Sequence, residues 1–191
     1  NDTISLDKEG VFSKNIEMQE PTLYSLALGN EYIIICPTIG EQISIKASGS
    51  NFSGTYNIEG SLESELLKEL NKENYNVRLS LKSMSEELSK ADTAKLDSIR
   101  TSIIEKYTST KQYQEKITSD FINKNLGSLT TLIALYRTFD GFALFDYNQS
   151  LEMHKKVLQG LKQTLPNNQH TLTLENFIAE KENAQKENGT K

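Results

Sequence analysis

The pattern of apolar residues changes at Ser61, and that change constrains the fold more than any other feature of the chain. Before Ser61, short alternating apolar runs are punctuated by Gly and Pro; after it, apolar residues recur at helical spacing and no Pro occurs until Pro166. Alternation sends successive side chains to opposite faces of a strand, whereas spacings of three and four gather them on one face of a helix. The switch predicts an α+β protein. A small antiparallel β-sandwich or partly open barrel is expected over residues 1–60, a mostly helical region over residues 61–180, and a charged linker over residues 181–191 leading toward a further C-terminal domain.

Within the first part, Ile4 and Leu6 alternate with polar neighbours, and Asp7-Lys8-Glu9-Gly10 turns the chain into Val11 to Met18, which reads as a hairpin. Leu23 to Leu28 forms a third strand, and Gly29-Asn30 supplies a primed turn into the apolar run Tyr32 to Cys36. Gln42 to Ala47 and Thr55 to Ile58 complete the set. Strands this short and this tightly connected favour antiparallel over parallel pairing. A further strand ahead of Asn1, if the β unit lacks its first, would pair beside Ile4.

Ser61 fits a helix N-cap, with Glu63 in the first turn where the helix dipole favours it. Leu62, Leu66, Leu67 and Leu70 share a face that continues through Val77, Leu81, Met84 and Leu88. After a break at Ser89 to Asp92, Leu96, Ile99, Ile103, Ile104 and Tyr107 make a second stripe, so two long helices are expected to pair as a hairpin. Tyr113, Ile117, Phe121 and Ile122 carry a further stripe that stops near Asn123 to Asn125. Ser128 then caps a helix with Leu129, Leu132, Ile133 and Tyr136 turned inward. An aromatic connection, Phe139 to Tyr147, leads to a helix from about Ser150 to Leu165, and a last helix runs from about Leu172 to Ala179 before the charged tail.

Composition narrows the chemistry. A net charge of −5 disfavours a surface that tracks phosphates, so nucleic acid is not an expected partner. The apolar run Tyr32 to Cys36 falls far short of the roughly 20 residues that span a bilayer. Cys36 is the only cysteine, which rules out a disulfide or Cys-x-x-Cys pair within the sequence, and its apolar neighbours mark it as a core residue. His154 and His170 lie in separate segments without ligand-like spacing and are expected at the surface, so neither a metal nor a cofactor is assigned. Ser61 follows Gly60 but lacks a nucleophile-elbow pattern, and carboxylates such as Glu69 and Glu182 sit near Lys72 and Lys186 as solvated pairs. No catalytic residue is nominated. Tyr136, Phe139, Phe142, Phe145 and Tyr147 are the least ordinary cluster: they either form a contact surface or plug the junction between the helices and the β unit.

The order of pieces also resembles a known family. Asp7-Lys8-Glu9-Gly10-Val11-Phe12, Glu20-Pro21-Thr22-Leu23-Tyr24, the apolar strand into Pro37-Thr38-Ile39-Gly40-Glu41, and Tyr56-Asn57-Ile58-Glu59-Gly60-Ser61 follow one another as in that family. It is the uncharacterised N-terminal β domain that precedes the thioredoxin-like domain in bacterial envelope thiol-disulfide oxidoreductases of the TlpA and ResA type. Phe121-Ile122-Asn123-Lys124-Asn125 followed by Ser128 resembles the family's helical junction, and the likeness covers most of residues 4–180. The resemblance implies the non-catalytic N-terminal region of an exported protein of cell redox homeostasis, in the periplasm or cell envelope and often lipid-anchored. Its implied partners are a C-terminal thioredoxin-like domain of the same polypeptide and a protein client or a second copy; contact with the membrane would come only through a lipid anchor outside this sequence. The alternative is a stand-alone envelope binding or self-association module without redox activity.

Overall fold

In the computed structural model, which describes residues 2–188, Gly29 takes a φ of 60° and with Asn30 closes the turn between β1 (Tyr24–Leu28) and β2 (Glu31–Ile35). The pair is antiparallel, with Leu26 opposite Ile33 and Tyr24 opposite Ile35. Strand β2 explains why its sequence is a continuous apolar run: both of its faces are covered from Ile33 onward, and only Tyr32 stays largely exposed. Ile33 and Ile35 enter a small core with Phe52, Tyr56 and Ile58, while Ile34 and the following Cys36 pack against the helices.

A second ladder joins β3 (Ser44–Lys46) to β4 (Asn57–Glu59), with Ile45 opposite Ile58. Between them one helical turn, α1 (Phe52–Thr55), is capped by the Asn51 side chain and delivers Phe52 to the small core. Thr55, expected to open a strand, instead ends that turn. Gly60 leaves β4 with a φ of 90°, and a Cβ there would lie 2.1 Å from the Gln42 carbonyl oxygen, so both backbone angle and space require glycine.

The expected hairpin over residues 4–18 forms its turn but no strand ladder. Asp7 Oδ1 accepts hydrogen bonds from the Glu9 and Val11 amides, and Lys14 pairs with Asp2 at 2.8 Å. Leu6, Val11, Phe12 and Ile16 remain exposed, and a two-stranded ribbon without a buried face is marginal in water. The described residues thus hold three separate two-stranded sheets and no closed barrel.

Ser61 begins α2 (Leu62–Ser89) as the sequence indicates, and a 3-10 turn at Thr93–Lys95 reverses the chain into α3 (Leu96–Lys124). The two helices form an antiparallel hairpin joined by Gln114 Nε2 to Asn74 Oδ1 at 2.9 Å, Tyr113 to Glu73 at 3.0 Å and Lys106 to Glu87 at 2.7 Å. The stripes read separately before and after Tyr107 belong to one helix, since neither Gly nor Pro interrupts residues 96–124. A short, buried α4 (Thr130–Leu135) follows, with Ser128 Oγ accepting from the Thr130 amide at 3.0 Å.

A small hairpin, β5 (Thr138–Phe139) and β6 (Phe142–Ala143), is closed by Asp140 and Gly141, both at positive φ as a primed turn requires. Helix α5 (Tyr147–Thr164) bends at Ser150 and pairs with α6 (Gln169–Asn188). Helix α6 runs well past Ala179, where the sequence reading ended it; Lys155 pairs with Glu182 across the two helices at 2.8 Å, and Ile178 is buried. The part of the expected linker over residues 181–188 is therefore helical, and residues 189–191 lie outside the described residues. The main core unites Leu67, Leu70, Ile122, Leu129, Leu135, Val157, Leu161 and Leu174 with Cys36 at the end of β2.

Candidate functional site

The sole thiol sits where the β unit meets the helices. Cys36 is 0% exposed, its amide donates to Ser64 Oγ at 2.9 Å, and its carbonyl accepts from Ser61 Oγ at 3.2 Å. Ser64 Oγ in turn donates to Ser61 Oγ at 3.0 Å, so the first turn of α2 is stitched to the end of β2 through two buried hydroxyls. Ser61 thus caps α2, as expected, and also anchors a strand. Burial, with smaller contributions from Glu63 and Glu41, pushes the Cys36 thiol up to about 12. A thiol so protonated and covered is neither a nucleophile nor a metal ligand at neutral pH.

The five aromatic residues divide. Phe139, Phe145 and Tyr147 are buried, whereas Tyr136 is 54% and Phe142 75% exposed. Phe139 meets Tyr107 of α3 edge-on at 5.0 Å, fixing the β5–β6 hairpin against the helical hairpin, and Tyr107 donates to Asp140 at 3.1 Å. Tyr147 packs edge-on to Phe177 of α6 at 5.4 Å. Tyr136 lines a shallow apolar cleft of about 290 Å³ with Leu23, Ile34, Ile133 and Leu174, and His170 stands at it. Phe142, on β6 directly after the turn, stands in solvent.

Neither histidine is a simple surface residue. His154 is 2% exposed, where the sequence reading expected it at the surface, because α5 carries it between Tyr136, Tyr147 and Phe177. Its Nδ1 lies 2.9 Å from the Ser150 carbonyl oxygen, an acceptor only, so Nδ1 carries the proton and donates. His170 is half-buried and its Nε2 is 2.9 Å from Thr22 Oγ1, which ties α6 to the segment before β1. Among the described residues no group of three or more His, Cys, Asp or Glu is placed to hold a metal ion, and no helix is long and apolar enough to cross a membrane.

One group escaped the sequence reading altogether. Arg137, between α4 and β5, is only 7% exposed. Its Nη2 donates to Asn71 Oδ1 at 3.1 Å, and Asn71 Nδ2 donates to the Tyr56 hydroxyl at 3.2 Å. Burial lowers the guanidinium to about 10 and raises the Tyr56 phenol, so near neutrality the first is charged and the second is not. Nothing around Arg137 in the sequence announces this, since the Asn71 and Tyr56 side chains of the cluster come from far earlier in the chain.

No family model, curated protein or solved structure matches the chain. The fold and these sites define an α+β protein in which small β-hairpins are fastened to a helical scaffold.

Proposed function

We propose that the chain is the non-catalytic N-terminal region of an exported thioredoxin-like thiol-disulfide oxidoreductase of the bacterial envelope, serving to position the redox domain or to bind its partner. The observation that carries this reading is the seam at Cys36: the β unit and the helices share one core there, sealed by Ser61 and Ser64, with the only thiol locked inside it. A body of this kind suits support and docking, and it leaves thiol exchange to a domain elsewhere in the polypeptide. The order of turn and cap residues from Asp7 to Ser61 supports the same reading.

The coding sequence beyond Lys191 tests it. Continuation into a thioredoxin-like domain with Cys-x-x-Cys upholds the proposal, and a stop codon overturns it. The purified chain itself is expected to leave insulin disulfides unreduced, and turnover abolished by Cys36→Ala would equally sink the idea. A second reading, a stand-alone module that self-associates, draws on exposed Tyr75, Leu79, Leu88, Ile104 and Tyr113 along the helical hairpin. A monomer by sedimentation across the micromolar range would remove it.

A further inference from the structure

We propose that Arg137 and Tyr56, bridged by Asn71, form an internal site for a small inorganic anion. The argument rests on unspent donors. Arg137 Nε and Nη1 are buried without any hydrogen-bond partner, and none of the ion pairs among the described residues includes this guanidinium. Asn71 turns its carbonyl oxygen to Arg137 and its amide to Tyr56, so the Tyr56 oxygen accepts and its own proton is left to donate. Every group left over at this cluster therefore offers hydrogen, on or beside a full positive charge.

A buried charge without a counterion carries a desolvation cost that proteins ordinarily offset by pairing. Here the polar neighbours, Asn71 and Tyr56, are neutral near pH 7 and offset little of it. A carboxylate on Asn71's position would have solved the problem within the chain; an amide there leaves the counter-charge to come from solution. With Arg137 only 7% exposed, a monatomic ion or small oxyanion is a fitting counter-charge and a peptide side chain is not. Gln114 Oε1, another buried atom without a partner, is an acceptor and lies outside this donor set.

The site is independent of the function proposed above, and its test uses the whole chain. Thermal unfolding is followed while chloride replaces gluconate at constant ionic strength, in the native protein, in Arg137→Met and in Asn71→Asp. The expected result is a rise in Tm of about 3–5 °C per tenfold chloride once the site begins to fill. Arg137→Met, which removes the charge at similar volume, is expected to lose that rise. Asn71→Asp supplies the counter-charge from within and is expected to melt higher than the native protein at low chloride and to respond no further. A native protein indifferent to chloride, or an Asn71→Asp variant with the full native response, overturns the proposal and assigns the Arg137 donors to water.

Discussion

Cys36 illustrates how one residue's surroundings decide what it can do. Its thiol is displaced from 9.0 to about 12, chiefly by burial, so the folded protein holds the proton more tightly than the unfolded chain. The sign follows directly. Below pH 9 both states are protonated and the displacement has no effect on stability; between about 9 and 12 only the unfolded thiol ionises, which favours unfolding. Stability is therefore expected to fall by up to about 1.4 kcal/mol per pH unit across that window from this group alone. The difference between the native protein and Cys36→Ala in urea titrations from pH 8 to 11 isolates it from the tyrosines and lysines, which titrate in both. A pH-independent difference would contradict the burial argument. In the folded protein at pH 8, the same thiol is expected to react with an aromatic disulfide reagent only as fast as the molecule opens.

At the scale of elements, the β5–β6 hairpin separates two roles that a list of aromatics merges. Phe139 and Phe142 are paired across the ladder, yet the first is buried against Tyr107 and the second stands in solvent. Phe139→Ala is expected to cost about 3 kcal/mol, as for other buried aromatic truncations, and Phe142→Ala within about 0.5 kcal/mol of nothing; equilibrium denaturation of both variants checks the contrast. A second junction, Gly60, joins β4 to α2 at a φ of 90° with the Gln42 carbonyl in the place of a Cβ. Gly60→Ala is expected to destabilise by about 2–3 kcal/mol through strain and collision together, and a chemical denaturation midpoint indistinguishable from the native one would refute that account. These elements also show what the sequence reveals and what it conceals. Gly29-Asn30, the Ser61 cap and the long stripes of α2 and α3 were legible because the signals are local: a turn that needs positive φ, a hydroxyl before an apolar face, a helical period without Gly or Pro. The ladder expected around Asp7 was not formed, because alternation specifies a strand only when one face finds a cover. The end of α6 was missed for the opposite reason: its last turns have scarcely any apolar residues but are held by Glu182 to Lys155. His154 and Arg137 were illegible since their surroundings come from distant parts of the chain, Phe177 of α6 beside the first and Asn71 of α2 beside the second.

For the molecule as a whole, the decisive feature is that β2 belongs to two cores at once. Ile33 and Ile35 fill the small core with Phe52, Tyr56 and Ile58, while Ile34 and Cys36 fill the main core with the helices. A five-residue strand has no means of releasing one face while holding the other, since its backbone hydrogen bonds to β1 and its links to Ser61 and Ser64 are common to both. The β unit and the helices are therefore expected to unfold in a single cooperative step rather than as independent domains. Ile58→Val tests this from within the small core, where the residue is 2% exposed and sits on β4, the strand that leads through Gly60 into α2. The substitution is expected to cost about 1 kcal/mol and to lower the melting midpoint by about 2–4 °C. The informative point is which probe moves: helical circular dichroism and protection of the β2 amides from exchange should shift together and by the same amount. If the helices keep the native midpoint while the strand amides lose protection, the two cores are separable and the seam at Cys36 is a contact rather than a union.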